Sequence, residues 1–288
     1  MPNSVDKAIA DSFHGRDRIS GVDAQGGFSY NLNLTYPCIA TAIHAGHRMR
    51  DELVPFLEIP EALRLAEEDV ATDELIAGCP STICGRDSRA EYDLNRPAGD
   101  ALPLTPEKFW GIRVFHAPPT EEMNRKSLAK HERFYRFVAD VVGELLNRFG
   151  VCLVYDIHSY NIFRQLEKGH PSPPLFNLGT RLVDRNRWRR PVDEWIRCLR
   201  HVSVPGVQTS VAENDVFEGR GEFAKRLMGW DRNILVLPTE VSKRYMDEKT
   251  GVVHWERVAS FRSELARAVS DHCRFFYRSC YNEPCRST

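Results

Sequence analysis

Apolar and polar positions follow two rhythms along this chain: short unbroken apolar runs, and longer stretches with a period near 3.6 residues. Residues 38–43 (Cys-Ile-Ala-Thr-Ala-Ile) predict a buried strand that opens into His44-Ala45-Gly46-His47. Residues 60–77 carry helical periodicity, 83–94 read as extended or turn, and 110–115 predict another strand. Thr120 is placed to cap a long helix with Glu121 and Glu122 in its first turn. Phe134, Phe137, Val138, Val141, Val142, Leu145 and Leu146 fall on one stripe of that helix, and Gly150 is its stop. The next run, Val-Cys-Leu-Val-Tyr-Asp-Ile-His-Ser over 151–159, is the most informative. A buried strand there delivers Asp156 and His158 to one face of its open end and Ile157 to the other. Further on, the pattern predicts a strand-rich region at 174–182, a helix at 191–199, and extended chain at 204–216. A short helix at 223–228, a strong strand at 234–241 and a final amphipathic helix at 254–276 complete it.

Strands alternating with helices predict an α/β fold: one domain with a central mixed, largely parallel sheet flanked by helices. A chain of 288 residues is long enough to bury such a core. Residues 1–30, polar and rich in Gly and Asp, are expected as a loose arm, with the ordered core starting near Phe28. The domain is expected over 31–278 and a tail over 279–288. No internal repeat is present.

Charge narrows the partners. The 39 basic and 40 acidic residues nearly cancel, which removes the electrostatic case for nucleic acid or an anionic membrane and favours a small molecule. No apolar run approaches the length needed to span a bilayer, and residues 1–16 lack the apolar core of a signal peptide, so a cytoplasmic location is expected. The eight cysteines are scattered and are expected as reduced thiols. Cys79-x4-Cys84 and Cys280-x4-Cys285 have no second pair at zinc-finger spacing.

Polar clusters interrupt the apolar pattern at His44-Ala45-Gly46-His47, Glu67-Glu68-Asp69 and Asp156-Ile157-His158. A hydrolytic zinc site takes about three N or O ligands and keeps a position for water. His44, one carboxylate and His158 supply that set, with Asp156 as an orienting group for His158. Successive helical residues lie about 100° apart, so only one member of the acidic cluster faces a buried ion. Asp69 shares a stripe with Leu65, Thr72 and Ile76 and is favoured; Glu68, on the stripe of Arg64, stays open. In the segment 88–97, Arg89 and Arg96 offer planar forks for a carboxylate, and Asn95 an orienting amide. Glu240 closes the apolar strand at 234–241 and is a candidate general base.

Taken in chain order, these pieces resemble the N-formylglutamate amidohydrolase family. The resemblance runs through His44-Ala45-Gly46, Asp69 with Asp73 and Leu75, Ser88-Arg89, Asp93-Leu94-Asn95-Arg96 and Asp156-Ile157-His158-Ser159. Asn214-Asp215-Val216-Phe217-Glu218-Gly219 is similar to a family turn, and Glu240 through Tyr245-Met246-Asp247-Glu248 to a later family segment. The resemblance implies a zinc carboxypeptidase-like and aspartoacylase-like fold with one zinc ion held by His44, an acidic residue and His158. It implies that Asn95 and Arg96 receive the substrate carboxylate, that Arg89 polarises the scissile carbonyl, and that Glu240 is general base and then proton donor to the leaving amine. The chain departs from the pattern at Gly219-Arg220-Gly221, at Val216, and at His47, which stands where aspartoacylase-like enzymes carry a carboxylate ligand and is a further alternative to Asp69. Arg164 and Arg220 are candidate substrate-binding residues that reshape the acyl or side-chain pocket.

The expectation is a zinc-dependent hydrolase of an N-acyl, in particular N-formyl, amino acid such as N-formylglutamate. The alternatives are a zinc carboxypeptidase or deacylase on a peptide or other N-acyl compound, and a non-catalytic carboxylate-binding protein.

Overall fold

The computed structural model describes residues 16–282. Eight strands form one mixed sheet: β1 (Arg18–Val22), β2 (Phe28–Asn33), β3 (Cys38–Ala42), β4 (Thr82–Gly85), β5 (Cys152–Tyr160), β6 (Phe176–Leu178), β7 (Val211–Glu213) and β8 (Ile234–Ser242). Their spatial order is β1-β2-β4-β3-β5-β8-β6-β7. The block β4-β3-β5-β8 is parallel, and β1, β2 and the junction of β8 with β6 supply the antiparallel pairings.

The helices are α1 (Glu61–Glu67), α2 (Thr72–Ile76), α3 (Glu121–Phe149), α4 (Ile162–Glu167), α5 (Arg185–Arg200), α6 (Glu222–Trp230) and α7 (Trp255–Asn282). They cover both faces of the sheet, as a parallel block buried on two sides requires. Leu153, Tyr155 and Ile157 of β5 pack with Trp195 of α5, Phe261 of α7 and Leu75 of α2. Cys152 and Val154 point the other way, into a layer with Phe134, Val138 and Val141 of α3 and Phe223 of α6. Thr120 caps α3 by accepting a hydrogen bond from the Met123 amide, and Gly150 ends it in a left-handed conformation.

The structure differs from the sequence pattern in several places. Residues 16–30, expected as part of a loose arm, contribute β1 and the start of β2, in register from Arg18↔Asn33 to Val22↔Ser29. The remaining arm residues, 1–15, and tail residues 283–288 lie outside the described residues; 279–282 continue α7. Residues 110–115 are not a strand. A 3-10 turn over Pro106–Phe109 leads into Trp110 and Gly111, both with positive φ, and Phe115 makes a single bridge to Leu57.

The expected helix at 60–77 is broken in two. Glu68 is extended and Ala71 has φ of 63°, so Asp69 stands in a loop between α1 and α2. No Gly or Pro announces the break. It is held from outside: Lys243 Nζ donates to the carbonyls of Ala66 and Glu68, both at 2.8 Å, and Tyr245 Oη donates to the Val70 carbonyl at 2.8 Å. Carbonyls that a continuous helix would satisfy internally find partners beyond the end of β8 instead. Among the described residues, no helix is long and apolar enough to cross a membrane, and Cys38, Cys79, Cys84, Cys152, Cys198 and Cys273 are free thiols.

Candidate active site

The carboxyl ends of parallel β3, β5 and β8 meet at one edge of the sheet, the usual place for a site in such folds. β5 and β8 run in register from Cys152↔Ile234 to Tyr160↔Ser242, which pairs His158 with Glu240. Side chains alternate along each strand, so Asp156, His158 and Glu240 share the face that lower down carries Cys152, Val154, Ile234 and Val236. β3 adds Thr41, whose hydroxyl donates to Asp156 Oδ1 at 2.9 Å, and then turns so that His44 enters beside them. The turn is tight: a Cβ on Gly46 would lie 2.2 Å from the Arg86 carbonyl carbon.

His44, Asp69 and His158 are all buried, and one donor atom from each lies within 4.8 Å of the others. The Asp69 carboxylate is 3.0 Å from His158 Nδ1 and 3.5 Å from His44 Nδ1. His44 Nε2 is 2.8 Å from Asp93 Oδ1, while its Nδ1 is buried with no hydrogen-bond partner. His158 Nε2 lies 3.0 Å from Asp156 Oδ2 without hydrogen-bond geometry. Burial opposes ionisation of Asp69, yet the hydrogen bond with His158 and the nearby His44 outweigh it and hold the carboxyl well below its usual range. His158 shows the converse: burial disfavours its charge, but Asp156 and Asp69 raise it well above the usual imidazole value.

Two imidazoles and a carboxylate converging with an orphaned buried nitrogen form a donor set suited to a divalent ion such as zinc. Asp93 and Asp156 stand behind the two histidines as carboxylates behind metal-ligating imidazoles do. Glu68 and His47, the alternatives to Asp69, face elsewhere. Glu68 is fully buried against Arg64 at 2.6 Å, His47 Nδ1 at 2.6 Å and the Ser88 hydroxyl, so the two satisfy each other away from the cluster.

The cluster opens into a cavity of about 170 Å³. Glu240 lines it and makes no side-chain hydrogen bond or ion pair among the described residues; burial pushes its carboxyl up to about 8, with His158 pulling the other way. Arg89 also lines it, donating to Asp93 Oδ2 at 2.7 Å and stacking 4.3 Å over the Trp110 ring, with its buried Nε lacking a partner.

The four residues expected to bind substrate are not all brought together. Asn95 lines the cavity; its Oδ1 accepts from the Phe223 amide at 3.1 Å, which leaves its NH2 group to donate. Gly221 lets it approach, since a Cβ there would sit 2.2 Å from Asn95 Oδ1. Arg164 also lines the cavity, gripped by Glu67. Arg96 is outside the lining, 3.5 Å from Asp93 Oδ2. Arg220 does not reach the cavity: it is exposed and paired with Glu218.

Some contributors carry no local signal in the sequence. Asp93 contacts His44, Arg89 and Arg96 together, but its flanks Tyr92 and Leu94 mark only a buried loop. Lys243 is a buried cation whose signal in the sequence is a lysine immediately after an apolar strand. Glu248, in the segment after Glu240, caps α4 by accepting from the amides of Ile162 at 2.6 Å and Phe163 at 2.9 Å.

A sequence model of the N-formylglutamate amidohydrolase family matches residues 36–246. Among curated proteins, no sequence relative matches. Among solved structures, the chain is similar to N-formylglutamate amidohydrolase from Ralstonia eutropha JMP134, with a TM-score of 0.71 and 19% identity over 88% of this chain and 99% of that one. It is also similar to a gene product of Agrobacterium tumefaciens, with a TM-score of 0.60 and 16% identity over 87% of this chain and 96% of that one. Carboxypeptidase A from Helicoverpa armigera follows at a TM-score of 0.48 and 11% identity over 96% of this chain and 72% of that one, too distant to speak to chemistry. With the family match spanning most of its length, the chain belongs to the N-formylglutamate amidohydrolase family.

Proposed function

We propose that the protein is a zinc-dependent amidohydrolase that removes an N-acyl, in the first instance N-formyl, group from an α-amino acid. Family membership supports a hydrolase of a linear, non-peptide carbon–nitrogen bond. The observation that carries the finer reading is the convergence of His44, Asp69 and His158 beside an unpaired Glu240 in one cavity. The first three residues would hold the ion, which when bound supplies Lewis acidity that polarises the scissile carbonyl.

The remaining roles belong to the protein's own side chains. Glu240 takes a proton from the attacking water and returns it to the amide nitrogen as the C–N bond breaks. One water is consumed, and formate and a free amino acid result. Burial brings the proton affinity of this carboxyl toward neutral pH, where a group that must both take and return a proton serves the step best. Arg89 offers its unpartnered Nε–H to the oxyanion that develops on the carbonyl oxygen. Asn95, with Arg96 at the rim, receives the substrate's α-carboxylate.

The test combines metal analysis of the purified protein with amine release from N-formyl amino acids, N-acetyl amino acids and dipeptides, before and after chelation and zinc return. Stoichiometric zinc with fastest turnover of the N-formyl compounds is expected. A zinc-supplemented protein that neither retains the ion nor cleaves any of them overturns the proposal, and fastest cleavage of dipeptides replaces it with a carboxypeptidase.

A further inference from the structure

Among the described residues, Arg164 is the one cavity-lining arginine or lysine whose charge is matched by a carboxylate that also lines the cavity. Its Nη1 donates to Glu67 Oε2 at 2.9 Å and its Nη2 to Glu67 Oε1, a two-toothed pair that uses both carboxylate oxygens. The Glu67 side chain is 2% exposed, whereas Arg164 is 34% exposed toward the opening. Glu67 is held in place on both sides, because Lys243 grips the carbonyls of Ala66 and Glu68 and Asn161 Nδ2 donates to the Ala66 carbonyl at 2.9 Å. Lys243 is thereby committed to the loop. Arg89 and Arg96 share Asp93. Two cations on one carboxylate leave charge for a single substrate carboxylate, and the pairing of Arg164 leaves none for a second.

The rest of this wall is neutral. Gln165 and Phe217 also line the cavity, and the Gln165 amide makes no side-chain hydrogen bond among the described residues. A second carboxylate on the substrate would have to displace Glu67 from Arg164 or lie against it in a buried, weakly screened setting. We propose that the Glu67–Arg164 pair sets side-chain specificity, so that the enzyme favours N-acyl amino acids with an uncharged side chain over N-acyl dicarboxylates. This rests on the amidohydrolase reading above and narrows its substrate class.

The zinc-loaded protein is assayed with N-formylglutamate, N-formylglutamine and N-formylmethionine. The expected kcat/KM for the two neutral compounds exceeds that for the glutamate derivative by about tenfold or more. Glu67→Gln releases Arg164 and should shift the glutamate-to-glutamine ratio toward glutamate by about tenfold, while Arg164→Gln should shift it the other way. A wild-type preference for N-formylglutamate, or a ratio that neither substitution moves, overturns the proposal. Calorimetric binding of the free products reads the same subsite without turnover: glutamine and methionine should bind more tightly than glutamate, and the reverse order overturns the proposal. If no N-formyl amino acid is cleaved at all, the amidohydrolase reading fails, while the calorimetry still judges the subsite.

Discussion

The backbone N–H of Asp69 donates to the backbone carbonyl of His44 at 3.1 Å, joining two candidate metal ligands from opposite sides of α1 in the sequence. The loop that carries Asp69 is thus fastened directly to the turn that carries His44, and both reach His158 at the end of β5. Alanine at His44, Asp69 or His158 should reduce bound zinc well below one per chain. Excess zinc should stabilise the wild type by about 4 kcal/mol at a thousandfold excess over Kd, and the variants by far less. Metal analysis and thermal melts with and without zinc check this, and equal stabilisation of all four proteins would remove these residues from the site.

Asp93 stands behind His44 and beneath Arg89, so Asp93→Asn should loosen both. Zinc affinity should fall by about 10- to 100-fold, as for other carboxylates behind metal-bound imidazoles, with the site still filling at high zinc. Competition against a chelator measures it. Unchanged affinity would leave Asp93 a merely structural residue.

Glu240→Gln keeps the shape of the cavity wall and removes the base. Turnover of the best N-formyl substrate should drop by about 10² to 10⁴ with zinc content unchanged. Wild-type rates in this variant would assign the proton transfer elsewhere.

His272 lies far from the cavity, in the core between α5 and β5. Its Nε2 donates to the Pro191 carbonyl at 2.7 Å, so Nδ1 accepts from the Tyr155 hydroxyl at 2.8 Å. Burial holds this imidazole down to about 4, against about 6.5 when unfolded. The fold favours the neutral form. The associated stability is therefore fully present above pH 6.5 and is lost as pH falls toward 4, on the order of 3 kcal/mol at most. His272→Gln should flatten the fall of Tm across that window, and a slope equal to that of the wild type would exclude His272 as the cause.

Much of this arrangement was legible because it depends on local pattern. Unbroken apolar runs predict β3, β5 and β8, and each ends on the polar residue that enters the site: His44, His158 and Glu240. The stripe from Phe134 to Leu145, with Thr120 and Gly150 at its ends, predicts α3. The helical stripe that favours Asp69 does not exist, since the chain leaves the helix at Glu68, which is extended, and Asp69 stands in the turn that follows. It joins the cluster because the break turns its side chain inward. The Trp110 segment has the apolar pattern of a strand without being one, because its apolar residues serve Arg89 and a small core of their own with Leu53 and Phe109.

What the sequence determined by itself is the layered α/β plan, the strand ends that carry polar groups, and the kind of chemistry those groups suit. Tertiary structure alone decided which groups meet. It put Asp93 behind His44, turned Glu68 toward Arg64, drew Arg164 onto Glu67 and set Lys243 under the Asp69 loop. The physical reason is that hydrophobic periodicity records which face of an element is buried. The partner of a buried charge or backbone carbonyl comes from segments tens of residues away, and must be found there because burial leaves no water to replace it.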